Sequence, residues 1–351
     1  MSRDANSRLI AVARESRGLT QKQLADRMEI SQSKLSKYES GALSVSDSDL
    51  QALSHATGYT ASFFGQGDEV FGLGTICVFH RKKASVSVGD LRRIQAKLNI
   101  FRMAAARIRD GVEVDTRATV PEMDPDEFGG PECVAREVRR VWQLPLGPVA
   151  NLTATIERAG VIVFKTDFGI RGVDAVSQKV HGYPTVFMLN SRASGDRLRF
   201  SLAHELAHVV MHRDASPDME QQANAFASEL LMPAAEIGIN LRHLTIDKAA
   251  QLKRFWRVSM QAIIKRAADL GRISPRHYQT LFTQMSKNGW RMKEPVQIEP
   301  ESPTVLRDIF WVHMREHGVV TEGLADTMFL TDPREFIKTY GDGSPGILRV
   351  V

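Results

Sequence analysis

Residues 197–212, RLRFSLAHELAHVVMH, run without proline or glycine, and Leu202, Ala203, Leu206, Ala207 and Val210 recur at helical spacing. The pattern predicts a helix with one side against a core. Within it His204, Glu205 and His208 read H-E-x-x-H. Histidines four residues apart lie one above the other on a helical face, so both imidazoles reach one tetrahedral zinc while Glu205 leans towards the open coordination position. A catalytic zinc takes a third protein ligand. His212 stands eight residues after His204, roughly 12 Å along the axis, too far to close on the same ion. No glycine follows His208 to turn a later histidine back. A carboxylate from the next helix, expected over about 217–232 (PDMEQQANAFASELLM), is the alternative. There Glu220 and Asn224 share a face with Ala227 and Leu231, and Glu229 falls on the opposite side. That helix is expected to offer Glu220 to the metal and Glu229 to solvent, and His212 reads as a cation at a helix C-terminus.

The 351 residues have room for two or three domains, and 43% apolar and 25% charged side chains are ordinary globular values. Apolar runs are far too short to span a membrane and the start is polar, so no membrane contact is expected and a cytoplasmic location is. Two cysteines, Cys77 and Cys133, supply neither a disulfide framework nor a thiolate zinc cluster.

Residues 7–64 read as short helices. Leu9, Ile10, Val12 and Ala13 form a stripe ending at Gly18, Thr20 and Ser31 cap the next two helices, and a fourth covers about 47–57. Only Glu29 and Ile30 join the second helix to the third, which forces a tight helix-turn-helix. The second helix of such a pair enters the major groove of double-stranded DNA with its first residues, so Gln32, Ser33, Lys34 and Lys37 are the base and phosphate readers. Leu24, Ala25, Ile30, Leu35 and Leu50 are core. Residues 1–65 carry eight basic and seven acidic side chains, so geometry rather than bulk charge must bring DNA to them.

GLTQKQLADRMEISQSKLSKYESG resembles the helix-turn-helix of the XRE, phage-repressor-like regulators. The resemblance implies a backbone contact for Gln21, an Arg14–Glu39 ion pair and dimers on paired half-sites.

Residues 65–69 are a linker and 75–79 are strand-like. An amphipathic helix over about 88–109 follows, with Leu91, Ile94, Leu98, Phe101, Ala105 and Ile108 on one face. Residues 81–110 hold nine basic against two acidic side chains. The basic face is read first as solvated, with DNA backbone contact or a dimer seam as the alternatives. An acidic surface loop (118–131), helices at 131–142 and 150–159, and strands at 161–165, 173–177 and 185–190 lead to the long helix, an α+β order. Residues 234–351 are helical, broken by Pro295, Pro300, Pro303 and the glycine-rich 341–346, with Leu252, Phe255, Val258, Ile263 and Leu270 as packing. The fold expected is thus mainly α: an all-α helix-turn-helix bundle, then an α+β zincin-like domain with a small sheet and a helical C-terminal extension.

RFSLAHELAHVVMH followed by EQQANAFASELLMP closely resembles the ImmA/IrrE family of zinc metallopeptidases. The resemblance implies that His204, His208 and Glu220 bind Zn2+ and that Glu205 is the catalytic base. Domains follow as 1–65 (XRE-type helix-turn-helix), 66–149 (linker and basic helix), 150–235 (metallopeptidase core) and 236–351 (helical extension). Tyr183, His181 and Arg197 are candidates for a second electrophile. The function implied is a DNA-binding regulator fused to an endopeptidase that cuts an XRE-type repressor or antitoxin-like protein, with the linker at 65–75 as a target in cis. The other reading is a transcription factor that does not cleave, whose zincin-like domain senses a ligand or partner.

Overall fold

The computed structural model describes residues 5–72, 86–114, 116, 118–170, 172–214 and 216–340. Five helices open it: α1 (Ser7–Ser16), α2 (Gln21–Arg27), α3 (Gln32–Glu39), α4 (Asp47–Thr57) and α5 (Ala61–Phe64). Local chemistry sets their starts. Thr20 and Gln23 form a reciprocal capping box on α2, and the Ser31 and Ser46 hydroxyls accept from Lys34 N and Asp49 N. Glu29 takes a left-handed φ of 54°, which lets Ile30 N bond back to Ala25 O and turns α3 across α2. Leu24, Ala25 and Leu35 are buried as expected, whereas Ile30 and Leu50 are half-buried.

Helix α6 (Val88–Ile108) lies between α1 and the sheet, and all six residues of its predicted stripe are buried. So are Ala96, Ile100, Met103 and Ala104, so the helix is covered nearly all round. The basic face is therefore solvated only in part: Arg92 is exposed, while Arg93, Lys97, Arg107 and Arg109 are half-buried. Arg102 is fully buried, its guanidinium 4.2 Å from the Tyr183 ring centre and 4.9 Å from that of Phe71, and Arg107 lies 4.6 Å over Phe329. Long basic stems pack on aromatic faces, so a charge run need not mark solvent. The strand-like 75–79, Cys77 and the stretch 341–346 lie outside the described residues.

Helices α7 (Pro131–Val141) and α8 (Leu152–Glu157) precede a three-stranded sheet of β1 (Ile162–Thr166), β2 (Ala175–Gln178) and β3 (Val186–Asn190), in the order β1-β3-β2. β1 runs parallel to β3 and β2 antiparallel to it, with Phe164 and Val176 both opposite Met188. Alternation splits the side chains between two cores. Val163, Ala175, Phe187 and Leu189 face a core shared with α7, α9 (Gly195–Met211), α10 (Met219–Leu231), α12 (Ile246–Trp256), α13 (Met260–Asp269) and α14 (Pro275–Lys287). Ile162, Phe164, Val176, Val186 and Met188 face the other, shared with α6, the helix-turn-helix bundle, α15 (Val305–Arg315), α16 (Thr321–Thr327) and α17 (Pro333–Tyr340). A single turn, α11 (Ala234–Ile237), completes the helices. Phe255, expected to pack, is 58% exposed, because Trp256 beside it takes the inward position.

Buried ions brace α9 and α12 and hold the start of α15. Lys253 Nζ bonds Asp196 at 2.6 Å and Glu294 at 2.7 Å, Arg199 pairs with Glu301, and Glu157 accepts from Thr304 N and Val305 N at the start of α15. The bundle is moored by Thr60 N to Phe329 O (3.0 Å), Thr331 N to Gly58 O (3.1 Å) and an Arg17–Glu335 pair.

Candidate metal centre

Ser194 leads into α9, which runs unbroken to Met211 and carries His204, Glu205 and His208. α10 packs on it, with Ala203, Ala207, Ala223 and Ala227 all fully buried; side chains this small let two helix axes come close. The approach brings Glu220, in the first turn of α10, to the histidines. Glu220 Oε1 lies 3.1 Å from His208 Nε2, Glu220 Oε2 lies 3.5 Å from His204 Nε2, and the two Nε2 atoms are 3.1 Å apart. The three ligand atoms fall within 4.8 Å of one another. Two imidazole nitrogens and one carboxylate oxygen converging from two helices are the donor set of a tetrahedral zinc site with one position open, so these residues fit that metal.

Burial works to raise the Glu220 carboxyl, but hydrogen bonds and charge from His204 and His208 win and hold it well below the usual carboxylate range. Glu205 differs. It is 2% exposed and accepts from Ser177 Oγ at 2.8 Å, and burial pushes its pKa up against the opposing pull of His208, His204 and Ser177. A carboxylate biased towards its neutral form takes up a proton readily, as a general base must.

Two expectations on these helices are corrected. Glu229 does lie opposite Glu220 on α10, yet it is 2% exposed. That side meets protein rather than water: Glu229 pairs with Arg266 of α13 and with Arg136 of α7 at 3.1 Å, and accepts from Ala234 N. His212 is not a solvent-facing cation. Burial, then the nearby histidines, lower its pKa, and its ring is wedged between His208 Nδ1 and Gln222 Oε1 at 2.9 Å each.

A cleft of about 830 Å³ opens beside His208 and is lined by Ser177, His181, Tyr183 and Phe71 among others. Of the suggested electrophiles, His181 and Tyr183 line it, and Tyr183 also donates to Asp68 at 3.0 Å. Arg197 is instead spent on Asp174 at 2.7 Å. Sequence reasoning missed Ser177 and Gln222. Ser177 comes from a strand far from the motif, and Gln222 lies about 200° round the helix from Glu220, so a helical-wheel reading does not join it to the site.

On the helix-turn-helix, Gln32, Ser33 and Lys37 are exposed along α3. Lys34 is held by Asp49 at 2.9 Å, and Gln21 donates to Glu39 at 2.8 Å. The expected ion pair is present: Arg14 Nε and Nη2 donate to Glu39 at 2.6 and 3.1 Å.

Fold and site thus define a two-module chain, a helix-turn-helix bundle joined to an α+β domain that presents a His-His-Glu cluster. Comparison with known families agrees: residues 156–268 match the model of the IrrE N-terminal-like domain, peptidase family M78, and residues 10–64 match that of a helix-turn-helix domain. The chain thus carries an XRE-type helix-turn-helix domain and an IrrE-like domain of peptidase family M78. No curated protein matches the chain.

Proposed function

We propose that the protein is a DNA-binding regulator with zinc endopeptidase activity, whose substrate is a helix-turn-helix repressor or antitoxin-like protein. The observation that carries this reading is the convergence of His204, His208 and Glu220 within 4.8 Å, with the buried carboxyl of Glu205 on the same helix. Bound there, zinc supplies Lewis-acid polarisation of a peptide carbonyl and a bound water whose pKa falls towards ~7. A Zn2+ held by two imidazole nitrogens and the Glu220 carboxylate would have one negative charge among its protein donors and would stay net positive. Glu205 takes the proton of the attacking water and hands it to the leaving amine. Ser177 fixes that carboxyl through Oε2, which keeps one oxygen aimed. The strand carrying Ser177 borders the cleft, and the proposed path of an extended substrate peptide runs between that strand and α9. Gln21, Gln32, Ser33, Lys34 and Lys37 are the proposed DNA contacts.

Full-length protein and Glu205→Gln, each loaded with one equivalent of zinc, are incubated with a panel of helix-turn-helix repressors, and products are weighed by intact-mass spectrometry. Cleavage by the wild type alone, with zinc kept in the variant, is the expected result. Unchanged repressors in both samples, with regulation of a reporter equal in both, would instead identify a sensor that does not cleave.

A further inference from the structure

We infer that His212 and Gln222 are positioning residues that fix the tautomer of His208, so that its Nε2 carries the lone pair the site needs. The inference rests on the metal reading above and deepens it. Three groups form a chain: Gln222 Oε1 lies 2.9 Å from His212 Nε2, and His212 Nδ1 lies 2.9 Å from His208 Nδ1. An amide oxygen only accepts, so the proton of that first bond sits on His212 Nε2. A neutral imidazole has one N–H, which leaves His212 Nδ1 as an acceptor. His208 must then donate from Nδ1. With zinc bound, its Nε2 would then be free of a proton, and that atom faces His204 Nε2 at 3.1 Å and Glu220 Oε1 at 3.1 Å. The reverse direction would place a proton on the very atom that points at the other two ligands. Metal-binding histidines usually donate their second N–H to a carboxylate, carbonyl or water; here a second imidazole takes that place and an amide sets its direction.

The fold makes the arrangement possible. His212 follows the last residue of α9, four residues after His208, and its ring stays beside that of His208 although the backbone leaves the helix there with φ −109° and ψ 106°. Gln222 is two residues after Glu220 on α10, so the helix that gives the third ligand also gives the anchor of the chain. With ring centres of His208 and His212 5.0 Å apart, rotating the His208 ring breaks the Nδ1 bond.

The experiment measures zinc affinity of the full chain by competition with a chromophoric chelator at fixed pH, with melting curves to check folding. His212→Ala and Gln222→Leu should each weaken zinc binding, the first by about 10–100-fold, the range for lost outer partners of a ligand. His212→Gln, whose amide oxygen still accepts from His208 Nδ1, should recover most of the loss, and Gln222→Glu should bind at least as tightly as wild type. A 15N-edited spectrum of the zinc-loaded wild type should place the His208 proton on Nδ1. Wild-type affinity in folded His212→Ala overturns the inference while the metal reading stands; a proton on His208 Nε2 in the zinc-loaded protein removes that ligand and overturns both. If His204→Ala, Glu220→Gln and wild type all fail to hold zinc, the metal reading itself falls, and this inference with it.

Discussion

Glu220 and Glu229 stand nine residues apart on one helix, and the structure gives them opposite work, so replacing each by glutamine separates site from scaffold. Glu229 is 2% exposed and faces the Arg266 guanidinium, itself 4% exposed, while its second partner, Arg136, is 53% exposed and weakly held. Removing the carboxylate leaves a buried cation with a neutral acceptor, and breaking a buried pair in this way costs about 3–5 kcal/mol. With an unfolding entropy of about 2.1 cal/mol/K per residue and the chain melting as one unit, that is a fall in Tm of roughly 4–7 °C. Glu220 is 34% exposed. Its loss from the metal-free chain costs no more than about 1 kcal/mol, in the range of partly solvated ion pairs. Zinc binding reverses the order: Glu220→Gln removes one of three protein donors and should lose more affinity than the ~10–100-fold typical of an outer partner, whereas folded Glu229→Gln should keep one zinc per chain. Thermal melting by circular dichroism without metal, and elemental analysis after zinc loading, read the two effects separately. A Glu229→Gln protein that melts with the wild type, or a Glu220→Gln protein that retains full zinc, refutes the reasoning.

Three further outcomes follow from single contacts. A Cβ added at Gly195 would run into Ile298 O and lie 2.6 Å from Glu299 C, backbone atoms pinned by the Arg199–Glu301 and Lys253–Glu294 pairs, so Gly195→Ala should lose about 1–3 kcal/mol in urea melts; at Gly323 the neighbour is a side chain, Val319 at 2.9 Å, which can turn aside where backbone cannot, so Gly323→Ala should cost less than Gly195→Ala. Because Asp49 occupies the Lys34 ammonium, Asp49→Asn should steepen the salt dependence of binding to a nonspecific duplex, and Lys34→Ala should flatten it by about one unit of slope. Burial lowers Lys97 to about 8 from its ordinary 10.5, so between these values the unfolded chain binds the extra proton and stability rises with pH; Lys97→Met should remove that rise, and an unchanged pH profile from 8 to 10.5 would contradict it.

What could be read from the sequence was what local geometry decides. The phase of α9 placed His204 and His208 together, and the phase of α10 put Glu220 and Glu229 on opposite faces. What failed was the step from face to environment. Glu229 looked solvent-bound because it is charged, but α7 and α13 bring arginines to it from about ninety residues before and about forty after, and no local pattern announces such partners. The same limit applies to α6, whose apolar stripe was legible and whose Arg102 is nevertheless fully buried, because the bundle covers one side of the helix and the sheet the other. His212 was placed out of reach of the metal cluster, yet its contact with Gln222 depends on how α10 packs against α9, which the sequence of α9 does not show.

The sheet gives the two modules one fate. Ile162, Phe164, Val186 and Met188 are at most 1% exposed, and what covers them is α6 together with elements that α6 shares with the bundle. Phe101 of α6 stacks on Phe164 at 4.5 Å, and α1 packs on the far side of the same helix. Val176, on that face, is the residue before Ser177, which faces Glu205. Adjacent residues on a pleated strand cannot be moved independently, so loosening the bundle exposes one face of the sheet and displaces the wall of the site on the other. The two modules should therefore unfold together in calorimetry, as one endotherm whose midpoint rises when zinc is added, the metal binding only the native form. Two separated endotherms, with zinc moving only one of them, would show that the shared core does not couple the DNA-reading module to the metal centre.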